Sequence, residues 1–153
     1  MPRVQRRLPT AGWDTVWRRV SSRTLPLRVR AAWYRAVQDI LPTNSRLTAT
    51  RQAEDAACGS CGAEDTVLHR LTSCQAVSRA IWAWTATTLT ALIEADETAL
   101  TPALLLVSDV AVRDRTAEDQ CARLLGAVAC YLVENKSHKL SGIESFISQL
   151  ERT

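Results

Sequence analysis

The sequence predicts an all-α protein, a small helical bundle with a CCHC zinc knuckle inserted near its middle. Three observations predict it. Apolar residues recur at helical spacing in nearly every segment, strand-like alternation is almost absent, and a compact Cys/His cluster interrupts the pattern at residues 58–74. With 153 residues, 46% of them hydrophobic and 23% charged, the chain fits one compact domain able to bury a core. Along it we distinguish an arginine-rich helical head (1–51), the knuckle (52–76) and a C-terminal helical bundle (77–153).

In the head, Trp13, Val16, Trp17 and Val20 repeat at helical spacing, with Arg18 and Arg19 expected on the polar side. Thr24 and Pro26 mark a second helix, proline being tolerated in a first turn. Its stripe runs through Val29, Ala32, Trp33, Ala36, Val37 and Ile40 and stops before Pro42. Arg28, Arg35 and Asp39 fall off that stripe, and Pro42-Thr43-Asn44-Ser45 is a turn leading into Arg46 and Leu47.

Beyond the knuckle, Val77, Ile81, Trp84, Thr88, Leu89 and Leu92 outline a long helix, with Trp82 beside its apolar face and placed to pack on the knuckle. Residues 94–98 read as an acidic loop, and Ala103 to Val112 as a buried helix in preference to a single strand. Capping-box-like starts at Thr116/Asp119 and Ser141/Glu144 predict two closing helices. The first carries Cys121, Leu124, Leu125, Val128, Ala129, Leu132 and Val133; the second carries Ile143, Phe146, Ile147 and Leu150.

Cys58, Cys61, His69 and Cys74 form a C-x2-C-x7-H-x4-C pattern. Three soft thiolates and one imidazole are the ligand set of a closed, four-coordinate structural zinc site. Gly59 and Gly62 supply the freedom to turn the chain tightly around a metal and aim N–H groups at sulfur. Asp65 is placed to cap a short helix running through Thr66, Val67, Leu68, His69 and Arg70. Two readings compete. A redox C-x-x-C pair normally follows a strand in a βαβ pattern, which is missing, and plain core cysteines leave the ligand types and glycines unexplained. One structural Zn2+ fits best. A hydrolytic zinc does not, because four protein ligands leave no position for water. Cys121 and Cys130 read as core thiols, and an odd cysteine count with three ligands suggests a reducing compartment.

Charge divides the functional classes. The head holds eleven arginines and no lysine against two aspartates, a balance of +9, whereas the other 102 residues hold eight basic and fourteen acidic side chains, a balance of −6. A planar guanidinium fork matches phosphate, so an all-arginine head points to RNA or DNA, with Arg18, Arg19, Arg28, Arg35 and Arg46 as candidate phosphate contacts. The bland alternative is that these arginines solvate helices or dock on an acidic protein partner. The five tryptophans read as core, large aromatics being dominant contributors to burial in small domains. No run of about twenty apolar residues spans a membrane, and the N-terminus lacks the apolar core of a secretory signal, although its arginine-rich, acid-poor composition is also that of a mitochondrial presequence. The expected location is intracellular, nuclear or cytoplasmic, and not secreted.

The run Trp33-Tyr34-Arg35 … Ile40-Leu41-Pro42-Thr43-Asn44-Ser45-Arg46-Leu47, followed by the four ligands at x2-x7-x4 spacing, resembles the C-terminal region of non-LTR (LINE-like) retrotransposon reverse transcriptases. The clearest part covers residues 33–84. The resemblance implies that Cys58, Cys61, His69 and Cys74 hold zinc, and that the segment helps the parent enzyme grip template RNA or target DNA. It also implies other parts of such a reverse transcriptase as partners. The chain has no Y-x-D-D polymerase motif and no acidic/His constellation for a nuclease, and His138 stands alone between lysines. The expected function is therefore a zinc-binding, non-catalytic nucleic-acid-binding module, a fragment of a larger polyprotein. The alternative is a protein-interaction scaffold.

Overall fold

The computed structural model describes residues 12–75, 78–90, 92–93, 101–106, 110–134 and 140–152. Among them are seven α-helices, one π-helical turn and no extended strand: α1 (Trp13–Val20), α2 (Leu27–Val37), α3 (Asn44–Ala49), the π turn (His69–Ser73), α4 (Ser78–Leu89), α5 (Pro102–Leu106), α6 (Arg115–Glu134) and α7 (Leu140–Glu151). Two isolated antiparallel bridges, Ala57 with Glu64 and Ile93 with Val112, are the strand-like pairings described.

Helix α6 is the axis of the molecule. It carries eleven buried residues along 20, and α2 lies against it more extensively than any other pair of helices does. The close approach is possible because Gly126 of α6 faces Val29 and Trp33 of α2. A Cβ at that position would lie 2.9 Å from Val29 Cγ1 and 3.1 Å from the Trp33 ring. Trp33 is fully buried, and its indole N–H finds an acceptor in the Leu106 carbonyl at 2.6 Å. Head, knuckle and tail share one core, in which Val29, Trp33, Leu71, Trp82, Leu125 and Val128 are all buried.

The helix ends explain several departures from the expected boundaries. Helix α2 begins after Pro26 and stops at Val37, three residues short of the end of the apolar stripe. Asp39 there takes a left-handed φ of 58°, and the Asp39 and Ile40 N–H groups bond back to the Ala36 and Arg35 carbonyls. This Schellman arrangement turns Ile40 out to solvent, 49% exposed, so it is not a core residue. Helix α3 ends in the same way, with Arg51 at φ 60° and Gln52 N–H bonded to the Leu47 carbonyl.

Helix α6 starts at Arg115, where Asp114 accepts the Ala117 N–H at 2.8 Å; Thr116 is therefore already inside the helix rather than at its cap. Helix α7 starts by Leu140, ahead of the expected Ser141 start. Helix α4 is rotated from the expected register, with Trp82 at the centre of its buried face, Trp84 at the edge and Thr88 exposed. Val112 pairs with Ile93 beyond the short helix α5, so of the expected 103–112 helix, residues 103–106 are helical and residues 110–112 are not. Trp33 and Trp82 are core as expected, whereas Trp13 and Trp17 are only partly buried. The acidic segment 94–98, Val77, His138 and the N-terminal Arg3, Arg6 and Arg7 lie outside the described residues.

Candidate metal centre

The four predicted ligands come together. Cys58 Sγ, Cys61 Sγ, Cys74 Sγ and a ring nitrogen of His69 all lie within 4.8 Å of one another, with Cys61 Sγ 3.2 Å from His69 Nε2. A tetrahedral zinc with bonds of about 2.0–2.3 Å spaces its ligand atoms about 3.3–3.8 Å apart, so the cluster needs only small adjustments to close on one ion.

Two local devices build the site. The first is a tight hairpin tied by the Ala57–Glu64 bridge, inside which Cys58 N–H donates to the Ala63 carbonyl (2.6 Å) and Gly62 N–H to the Cys58 carbonyl (2.8 Å). Gly62 adopts φ +80°, the conformation glycine tolerates without a Cβ penalty. Gly59 does not, so only the glycine after Cys61 is needed for its backbone freedom. Burial pushes the Cys58 thiol up. The backbone N–H of Ser60, the His69 ring, and the backbone and thiol of Cys61 outweigh it and bring Cys58 down to about 6, toward the thiolate a metal requires.

The second device is the π turn. His69 and Cys74 are five residues apart, and at about 100° per residue an α-helix would leave them about 140° apart around its axis. Widening the turn so that Cys74 N–H bonds to the His69 carbonyl (2.8 Å) brings both onto one side. The expected α-helix through Arg70 thus gives way to a π turn at His69, because H-x4-C spacing demands it. Thr66, not Asp65, caps this segment, its hydroxyl accepting the His69 N–H at 3.1 Å.

Asp65 has a larger task that the sequence did not reveal. Its carboxylate is 2% exposed and accepts the Asn44 N–H at 2.7 Å, capping α3 from a distance, while also pairing with Arg70. Its own N–H donates to the Ala56 carbonyl and its carbonyl accepts the Ser45 N–H. Asn44 donates its side-chain amide to the Ala57 carbonyl (2.8 Å) and Ser45 its hydroxyl to Glu64 (2.7 Å). The first turn of α3, at Asn44 and Ser45, is therefore the bracket that holds the metal hairpin. Trp82 clamps the other side, its buried indole donating to the Leu71 carbonyl of the π turn.

Three thiolates and an imidazole, with no carboxylate and no free coordination position, suit zinc as a structural cross-link. Cys121 and Cys130 stand apart from it. Burial drives the first up to about 11 and the second, with Glu134 adding to the effect, up to about 12, so both are inert core thiols.

The candidate phosphate contacts scatter. Arg19 is 3% exposed and lies inside the molecule, its Nε and Nη2 each 2.7 Å from the Glu118 carboxylate and its Nη1 donating to the Val110 carbonyl at 2.8 Å. The expectation of a polar-face, phosphate-facing Arg19 is thus corrected: it is a buried structural ion pair. Arg28 is exposed but pairs with Glu134 and lies over the Phe146 ring, and Arg46 is half-buried against the Asp39 carbonyl. Arg18, 68% exposed and 3.9 Å from Glu118, and Arg35 remain on the surface, together with Arg23 and Arg51.

A closed Cys3His cluster braced inside a helical scaffold defines a structural zinc-binding module. Residues 4–82, half of the chain, match the family described as zinc-binding in reverse transcriptase, and the chain belongs to that family. The match reaches from the head to Trp82, past the motif that carried the resemblance. No curated protein and no solved structure matches the chain significantly. Among the described residues no helix is long and apolar enough to cross a membrane.

Proposed function

We propose that this reverse-transcriptase-type zinc module is non-catalytic, a piece of a larger retrotransposon polyprotein, and that it binds RNA or DNA through phosphate contacts of its arginine-rich head. Zinc, when bound by Cys58, Cys61, His69 and Cys74, supplies a cross-link and no reactive position. The observation that carries the reading is the charge of the head surface. Across residues 12–51, Arg18, Arg23, Arg28, Arg35 and Arg51 are exposed against two acidic side chains, Asp14 and Asp39. The zinc hairpin, through Asp65 and Asn44, fixes α3 beside this surface and keeps it in one shape.

The test is a salt titration of binding by the zinc-loaded chain to RNA and DNA. Affinity falls steeply with salt, and replacing Arg18 and Arg35 with alanine lowers the slope by about two while leaving zinc content and helicity intact. Salt-independent binding, or none below about 100 µM, overturns the proposal. A second reading, docking on an acidic protein partner or on the polymerase itself, is favoured by Leu27 and Ile40, large apolar side chains left 72% and 49% exposed on the same head. It predicts that the arginine variant loses the protein partner and keeps its nucleic-acid affinity.

A further inference from the structure

Three aromatic rings line the seam between α1 and α2. Trp13 and Trp17 are one helical turn apart, with centroids at 6.0 Å, and Trp17 meets Tyr34 of α2 at 6.1 Å. Both tryptophans pack against the core on one side but are only partly buried, and Tyr34 is 49% exposed, so one edge of the ring row reaches the surface. On α2, Leu27 and Arg30 lie seven and four residues before Tyr34 and therefore on its flank, and Arg30 Nε is buried without a hydrogen-bond partner. A guanidinium with an unsatisfied donor sits next to the row of rings, on the segment where exposed arginines outnumber acids.

We infer that this Trp13–Trp17–Tyr34 row is a stacking platform for the unpaired bases of a single-stranded nucleic acid, with Arg30 and the head arginines tracking its phosphates. The inference rests on the nucleic-acid reading above and specifies its ligand. A duplex keeps its bases paired and offers rings nothing to stack on, whereas a single strand presents planar faces and anionic phosphates together. An acidic peptide matches the charge but not the row of rings.

The experiment compares the zinc-loaded wild-type chain with Tyr34→Ala and Tyr34→Phe, binding a mixed-sequence RNA of about 15 nucleotides as a single strand and as a duplex. Tyr34→Ala is expected to weaken single-strand binding about tenfold, with Tyr34→Phe near wild type and duplex binding unchanged. Intrinsic tryptophan emission of the unmodified chain gives an independent readout, quenched by the single strand and not by the duplex. Unchanged emission at saturating single strand, or wild-type single-strand affinity in Tyr34→Ala while the Arg18/Arg35 variant loses both ligands, overturns the platform and leaves the phosphate reading standing. Absence of binding to either nucleic acid removes both. Loss of self-association in Tyr34→Ala, with nucleic-acid affinity intact, assigns the ring row to a protein contact and overturns the inference.

Discussion

The four ligands reach one point because each is held by a neighbour that has its own reason to stay in place. Cys58 and Cys61 ride a bridged hairpin, and His69 and Cys74 ride a π turn whose Leu71 is in the core. Cys61→Ser or His69→Ala removes one ligand from a set of four. Structural zinc contributes on the order of 10 kcal/mol of apparent binding energy, comparable to the whole margin of a small domain. Both variants should bind well below one equivalent of zinc and lose their thermal transition or shift it strongly downward, and a chelator should do the same to the wild type. Metal analysis with circular dichroism melts checks this, and unchanged melts would show a centre with no structural role. Asp65 is the second decisive residue. Replacing it with alanine strands Arg70 and uncaps α3 at once, and breaking a pair of this burial costs about 3 kcal/mol or more. Denaturant unfolding of Asp65→Ala should show that loss with its m-value little changed.

At the scale of elements, fit at the crossing of α2 and α6 outweighs helix propensity. Glycine inside a helix normally costs up to about 1 kcal/mol relative to alanine, so by propensity alone Gly126→Ala would stabilise the helix. The space argues otherwise. A methyl there meets a β-branched Val29 and a Trp33 ring locked by its hydrogen bond to Leu106, neither of which can swing aside. Gly126→Ala should therefore destabilise by about 1–2 kcal/mol net, the overpacking penalty exceeding the propensity gain. A higher melting temperature for this variant would show that the two helices slide apart freely.

At the scale of the molecule, the head is locked to the tail by the Arg19–Glu118 pair, which joins α1 to the first turn of α6 across 99 positions. The hydrogen bonds from Arg19 hold the Glu118 carboxyl below its usual range, against the opposing effect of burial. A carboxyl with a lowered folded-state pKa stabilises the fold fully above its unfolded value and loses that contribution as pH falls through the folded one. Glu118→Gln should be less stable than wild type near pH 7, and the gap between them should narrow only as pH falls below the ordinary glutamate value of about 4.3 and close at a more acid pH, where the folded carboxyl is protonated. Paired denaturant melts at the two pH values read it directly. A gap that persists in acid would mean the glutamate acts by packing and not by charge.

The sequence by itself determined the metal ligands, the helical class and the presence of a core running through Trp33 and Trp82. Those signals are local: ligand types at fixed spacing within residues 58–74, and apolar residues repeating every three or four positions. It also marked Pro42–Ser45 as a turn, although Asn44 and Ser45 open helix α3, and it did not reveal that these two residues reach the metal hairpin, because that partnership crosses some twenty positions through Asp65 and Glu64. Tertiary structure alone decided which arginines face solvent. Arg18 and Arg19 are neighbours of the same chemistry on the same helix. One lies 68% exposed and the other is buried on Glu118, because burying a guanidinium requires a carboxylate that only the packing of α6 brings within reach.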